Sequence, residues 1–412
     1  MAKRLHHVVR RPGRRHGDPD LDIPVADDLA TVPGIPLKLK DLAFYSREHP
    51  LESQNIDHSA DRDWAKTVYT KEVISYREGH EERNKPLVLA ALESADLEPT
   101  NAPYNPEKDV TEDIRLKARN LGFGEVGFTK YDRRYTYASK KRWVKYDHAI
   151  CLALEQNYVQ TQTIPSLTAE HAHFGTYETE GALVINLAGY IRSLGYRAQI
   201  HSPSDASGAY IPMFVASGLG QLGANGQLLS PHFGSRSRLT IITTNAPVTY
   251  DQPVDYGIHK FCQNCQVCVD RCPGRALMKE KVWWRGIEKN KLVYERCRPV
   301  MAKYEGCAVC MKVCPIQRYG MKPVMEHYVS TGEVLGKDTE NLEGYSLRGK
   351  GHFGPGKLPH FNRDFFEIPK GRREDWLFEE FKKKLDENGM PSKQELSNFA
   401  LKVKELTEKG KN

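Results

Sequence analysis

Hydrophobic patterning becomes interpretable from Val110 onward. Thr111 is placed to cap a helix through Asn120, Gly122 suits the left-handed residue that ends it, and Glu125 to Lys130 then reads as a strand. Ala149 to Leu154 is a second apolar run of strand length. Tyr177 to Ser193 carries Leu183, Leu187 and Ile191 at i, i+4 and i+8, with Val184 and Ala188 beside them, which predicts a helix ended by Gly195. Tyr196 to His201 and Arg238 to Thr244 read as further strands, so the middle of the chain alternates strand and helix as an α/β layer does. Beyond Gly320 comes a glycine-rich, aromatic-containing segment, Gly344 to Gly371, too long for an ordinary loop and suited either to covering a cofactor or to surface packing. Two amphipathic helices follow: Leu377, Phe381 and Leu385 line one, Asn388-Gly389 makes the turn, and Ser392 with Glu395 caps the second, whose apolar face has Leu396, Phe399, Val403 and Leu406. Residues 1 to 105 hold two proline-rich stretches and helical segments without an interpretable constellation.

The length of 412 residues implies more than one compact unit, and 39% hydrophobic with 27% charged residues is the composition of a folded globular protein. The longest apolar stretch, Ala182 to Ile191, is interrupted by Asn186 and falls short of the roughly 20 residues a membrane span needs. No membrane partner is expected. The net charge of +7 is mild, and six of the 60 cations lie in the first 15 residues. No aromatic and basic stripe follows that arm, so it reads as a solvated terminus and no nucleic-acid partner is expected. Arg10-Arg11 and Arg14-Arg15 resemble a twin-arginine signal, but Gly17 to Asp28 is acidic and polar where such a signal is apolar; the expected compartment is the cytoplasm.

Eight of the nine cysteines fall between Cys262 and Cys314, and this clustering carries the chemistry. Cys262, Cys265, Cys268 and Cys272 are spaced x2, x2, x3 and followed by Pro273, the bacterial ferredoxin run for a [4Fe–4S] cluster. Cys307, Cys310 and Cys314 with Pro315 repeat its ending; Tyr304 occupies the expected first position, and Cys297 stands ten residues before Cys307 instead. In tandem motifs the fourth ligand of each cluster comes from the other half. That assigns Cys262, Cys265, Cys268 and Cys314 to one cluster and Cys272, Cys297, Cys307 and Cys310 to the other. Structural zinc sites and disulfides are the alternatives, and neither explains C-x2-C-x2-C-x3-C-P. Cys151, in the apolar run His148 to Leu154, reads as a buried strand residue. Gly218, Gly220 and Gly223 match G-x-G-x-x-G, yet Ile211 to Ser217 before them reads as a helix and Thr243 stands where an acid belongs, so no dinucleotide site is expected.

Three blocks in order resemble the corrinoid-dependent reductive dehalogenases, over roughly residues 110 to 330. They are TYETEGALVINLAGYIRSLGYRA from Thr176, SGLGQLGANGQLLSPHFGSRSRLTIITT from Ser217 and VDYGIHKFCQNCQVCVDRCPGRAL from Val254. The displaced Cys297 is similar to that family's truncated second cluster motif. Epoxyqueuosine reductases share much of the architecture. The resemblance implies an α/β (α+β) cobalamin-binding core over 106–250 after an N-terminal extension, 1–105. A ferredoxin-like two-[4Fe–4S] module would cover 251–330, and a C-terminal loop with a helical extension 331–412.

It also implies a mechanism: electrons pass through the clusters to cobalt, giving Co(I), which removes the halide of an organohalide, R–X + 2e⁻ + H⁺ → R–H + X⁻. Ferredoxin or flavodoxin would be the low-potential donor. Tyr177 aligns with the family's proton-donating tyrosine, and a phenol with pKa near 10 suits a developing carbanion in a dry pocket. Ser202, Ser204, Asp205, Ser230, His232 and Gly234 are carried over as cobalamin contacts.

There is one departure. Where relatives have Lys or Arg after the third glycine, polarising the phenol, this chain has Ala224 and Asn225. Either another cation such as Arg236 or Arg238 takes over, or the reaction differs. His171 and His173 lie nearby, in what reads as a polar loop. Two other functions remain on the sequence alone: reduction of an epoxide on a modified tRNA nucleoside, with Ser204-Asp205-Ala206-Ser207 partly imitating the D-S-A-P segment it requires, and electron transfer without a corrinoid.

Overall fold

The computed structural model describes residues 6–11, 21–31, 33–39, 65, 67–100, 103–137, 140–202, 204, 207–284 and 286–366. Asp205 and the two amphipathic helices expected between residues 377 and 406 lie outside them.

Strands β1 (His6–Arg11) and β2 (Leu21–Ala26) form an antiparallel hairpin, followed by helices α1 (Lys71–Glu93) and α2 (Thr111–Leu121). Gly122 ends α2 at φ 109°, as its position suggested. Thr111 does not cap it: the Asp109 carboxylate accepts from the Thr111 amide at 2.7 Å, and the Thr111 hydroxyl accepts from the Thr249 amide instead. Strands β3 (Glu125–Lys130), β4 (His148–Glu155), β5 (Ala198–His201) and β8 (Ser237–Thr244) build the central sheet in the order β3-β4-β8-β5. Between them run α3 (Leu167–Ser193), α4 (Ile211–Ala216) and the short strand pair β6 (Gln221–Leu222) and β7 (Leu228–Leu229).

All three strand pairings in the sheet are antiparallel, which corrects the α/β expectation toward α+β. The alternation of strand and helix misleads for a definite reason. β4 and β5 are parallel to each other and joined through α3, as a crossover requires, but β8 then enters between them in the opposite direction. Period-two alternation gives the sheet two apolar faces: Ile150, Leu152, Ile200 and Ile242 pack under α2 and α3, and Ala149, Cys151, Ala153 and Ile241 pack with Phe214 and Phe233 on the other side. Cys151 is fully buried there, its thiol pushed up to about 12 by burial.

Helix α3 begins at Leu167, ten residues before the expected start, because Ser166 caps it by accepting from the Ala169 amide at 3.1 Å. Tyr177 is therefore in mid-helix, and His171 and His173 are helical rather than in a loop.

His201 is fully buried at the end of β5, Nδ1 2.5 Å from the Ser207 hydroxyl and Nε2 2.9 Å from that of Thr243. Burial first, then the charges of Lys140 and Arg133, push its imidazole down to about 3. It folds neutral, whereas unfolded it takes up a proton below its ordinary value of about 6.5. Its contribution is complete above that value and is lost as pH falls from there toward about 3. Urea unfolding should thus show a lower midpoint at pH 5 than at pH 7.5, and His201→Asn should flatten that part of the dependence.

The cysteine region and both chain extensions share a third core. Ile23, Val25 and Leu29 pack there with Phe261, Val309, Met325, Leu342 and Tyr345. The N-terminal hairpin, opaque in sequence, thus covers the cysteine region.

Candidate functional site

Strand ends Glu125, Glu155, Ser237 and His201 lie at one end of the sheet, as the register requires. Tyr177 meets β8 there: the Arg238 guanidinium lies over its ring, 4.9 Å from the centroid. When the Gln156 amide is oriented with its oxygen toward Arg238, it accepts from Nη2 at 2.7 Å and Nε at 3.2 Å, fixing the cation. Arg236 is committed elsewhere, to Glu155 at 2.5 Å and the carbonyls of Phe233 and Gln317, with Tyr158 under it. Of the two cations weighed from sequence, Arg238 is the one on the phenol.

Glu170, His173, Tyr177 and Glu180 fall on one stripe of α3 at i, i+3, i+7 and i+10. Burial, then the Arg238 charge, lower the imidazole of His173. Glu180 is fully buried, and burial raises its carboxyl well above the usual range against the pull of Arg238 and of the Leu154 amide. Burial thus favours its neutral form. Sequence reasoning missed Glu180 and Gln156. The available signal was the polar stripe itself, which continues the apolar face of Val184, Leu187 and Ile191 but carries no hydrophobic period.

The residues transferred as cobalamin contacts fall on two flanks of this sheet end. The Ser202 hydroxyl accepts from the Ser204 amide at 3.1 Å, and the Ser202 carbonyl accepts from the Tyr210 hydroxyl at 3.3 Å. On the other flank the Ser230 hydroxyl donates to Glu125 at 2.6 Å, and His232 Nδ1 lies 2.8 Å from the same oxygen. Gly234 has φ 59°, and a Cβ there would stand 2.5 Å from the Gln317 Cα, so only glycine lets the two backbones meet.

Gln317 ties this end to the cysteine region, built from α5 (Ile258–Cys265), α6 (Val267–Asp270), the hairpin of β9 (Leu277–Trp284) and β10 (Ile287–Leu292), α7 (Tyr294–Lys303), α8 (Val309–Lys312), α9 (Pro315–Tyr319) and α10 (Met321–Thr331). Left-handed residues follow Cys265 and Cys307: Gln266 at φ 56° and Ala308 at φ 55°. Cys262, Cys265, Cys268 and Cys314 line one small cavity, together with Ala224 and Asn225. The departure from the relatives' cation therefore faces this thiol cavity, and the Ala224 amide points at the Cys262 sulfur. Burial raises the thiols of Cys262, Cys265, Cys268, Cys297, Cys307, Cys310 and Cys314, and the neighbouring cysteines they sense fall into two sets. Cys265 feels Cys262 and Cys314, and Cys268 feels Cys262, Cys265 and Cys314. Cys307 feels Cys297 and Cys272, and Cys310 feels all three of its own set before Cys314.

Whether these residues fit clusters and a corrin is decided by their polar atoms. Backbone amides aim at sulfur from Ala276 to Cys272 at 3.3 Å, from Val267 to Cys265, from Val309 to Cys307, and from Ile316 and Gln317 to Cys314. Such donors suit thiolates. Among the described residues no three or more His, Cys, Asp or Glu side chains are arranged to hold a single metal ion; a cubane of four irons is a wider body. Between the sheet end and α9, the Ser235 hydroxyl, Arg236 Nε and both amide atoms of Gln317 are buried without hydrogen-bond partners among the described residues. Each such atom costs about 1–3 kcal/mol unless matched, which fits a group with amides around its rim, as a corrin has.

No protein-family model matches the chain. It is 26% identical over 271 residues to a tetrachloroethene reductive dehalogenase of Desulfitobacterium hafniense, covering 51% of this chain and 48% of that protein. An epoxyqueuosine reductase of Lactococcus garvieae is 33% identical over 121 residues, 27% of this chain and 33% of that one. Among solved structures, a catabolic reductive dehalogenase in complex with 3-bromo-4-hydroxybenzoic acid superposes with a TM-score of 0.55 at 19% identity, covering 80% of this chain and 46% of the other. The chain thus spans about half the length of the dehalogenases it matches, and no helix among its described residues is long and apolar enough to cross a membrane. It is with the reductive dehalogenases, and beyond them the epoxyqueuosine reductases, that this chain shares sequence, and with the former that it shares its fold.

Proposed function

We propose that this protein is a cobalamin-dependent reductive dehalogenase, R–X + 2e⁻ + H⁺ → R–H + X⁻. The single observation that carries the reading is the Arg238 cation over Tyr177, at the sheet end that Gln317 joins to the thiol cavity. Bound between the two, cobalamin would supply the reducing chemistry that breaks the carbon–halogen bond. Ser202 and Ser204 on one flank, with Ser230, His232 and Gly234 on the other, are proposed to hold it. Cys262, Cys265, Cys268 and Cys314 would carry the nearer [4Fe–4S] cluster, and Cys272, Cys297, Cys307 and Cys310 the outer one. The two sets approach each other at Cys310, which feels Cys314, and at Cys268, which feels Cys310. A low-potential carrier such as ferredoxin or flavodoxin would feed the outer set.

Tyr177 holds the proton at its Oη and delivers it to the carbon that loses halide. Arg238 stabilises the phenolate left behind. A neutral Glu180 leaves that charge available; an ionised one would draw Arg238 into an ion pair. Halide release from tetrachloroethene and from 3-bromo-4-hydroxybenzoic acid, with a reduced viologen as donor, tests the reaction class. Release from either supports it, whereas turnover of an epoxide alone would move the protein to the epoxyqueuosine reductase chemistry.

A further inference from the structure

The segment after α10 packs against the chain that carries Cys272. A turn of helix at Glu340–Glu343, capped by the Thr339 hydroxyl, leads into a hairpin of β11 (Tyr345–Leu347) and β12 (Gly351–Phe353), with Tyr345 opposite Phe353. Arg271, the residue before Cys272, anchors it. Its guanidinium is buried and donates to the carbonyls of Lys357 at 2.7 Å, Phe353 at 2.8 Å and Glu343 at 3.3 Å. The same guanidinium lies 5.0 Å from the centre of the Tyr345 ring, so Tyr345 is held against the chain that carries Cys272.

Tyr345 is 1% exposed, and its hydroxyl is buried without a hydrogen-bond partner among the described residues. Buried tyrosine hydroxyls ordinarily find an acceptor, and an unmet one costs about 1–3 kcal/mol. Burial raises the phenol, and after Arg271 the charges it senses are those of Cys307 and Cys272, two members of the outer set. Cys307 and Cys310 pack against the same core that Tyr345 belongs to, which makes sulfur the acceptor chemistry beside it.

We propose that the Tyr345 hydroxyl donates a hydrogen bond to a sulfur of the cluster held by Cys272, Cys297, Cys307 and Cys310, and raises that cluster's reduction potential. The inference rests on those four thiols ligating a cluster. A hydrogen bond to sulfur favours the reduced, more negative state. The glycine-rich segment is then a cofactor cover rather than surface packing, and its one buried phenol sets where the first electron rests.

Redox titration of the anaerobically purified holoprotein, followed by electron paramagnetic resonance, tests this in wild type and Tyr345→Phe. The expected result is a lower midpoint for one cluster, with the other unmoved and the iron content unchanged. Should the Phe variant lose iron, 3,5-difluorotyrosine placed at position 345 decides: a stronger donor of nearly the same shape shifts the midpoint upward. Two clusters with unaltered midpoints under either change overturn the role of Tyr345. A wild-type protein without the cluster signals overturns the assignment of the thiols instead.

Discussion

Tyr177→Phe is expected to lower halide release by about 10²–10⁴-fold, the usual contribution of a positioned proton donor, while iron and corrinoid stay bound. The phenylalanine keeps the ring under Arg238 and removes only the proton that the product carbon needs. Arg238→Gln should fall in the same direction by about 10²–10³-fold, since it removes the charge that stabilises the phenolate. The double variant should be little worse than Tyr177→Phe alone, because a cation with no phenolate to stabilise has nothing left to do. Rates under saturating donor in the four proteins make the comparison. Equal activity in wild type and Tyr177→Phe would remove Tyr177 from the chemistry and leave Arg238 a packing residue.

The second large effect concerns the thiols. Cys314→Ala and Cys265→Ala should each abolish the same cluster, although one residue lies in the first run and the other 49 positions later, because both line one cavity. Cys297→Ala and Cys310→Ala should remove the other. Cluster loss is expected to stop turnover in all four, with iron falling from about eight to about four per chain. Spectra of the surviving cluster sort the variants into pairs. If Cys314→Ala resembled Cys310→Ala rather than Cys265→Ala, the crossed assignment would be wrong.

The thiol runs and the strands were legible in sequence, because both depend on local spacing. β3 coincides with the expected Glu125 to Lys130, and β4 and β8 exceed expectation by one or two residues. Less legible was whatever depends on distant partners. The first ten residues of α3 bury Ala169, Glu170, Ala172 and Thr176, small or polar side chains rather than large apolar ones, so hydrophobic period failed there. Arg238 was one of two named cations, and only the register of β8 beside β4 puts it over Tyr177 while sending Arg236 to Glu155. The position after the third glycine pointed to the phenol by family resemblance, yet it lines the thiol cavity. Tyr345 carried no sequence signal, since its meaning comes from a buried hydroxyl in a core that Cys307 and Cys310, more than 30 residues earlier, pack against.

The most direct test of the central claim is the iron and corrinoid content of protein purified anaerobically from cells supplied with cobalamin, read by metal analysis and visible absorption. About eight irons and one corrinoid per chain is the expected result. About eight irons with no corrinoid would contradict the dehalogenase reading and leave an iron–sulfur electron carrier.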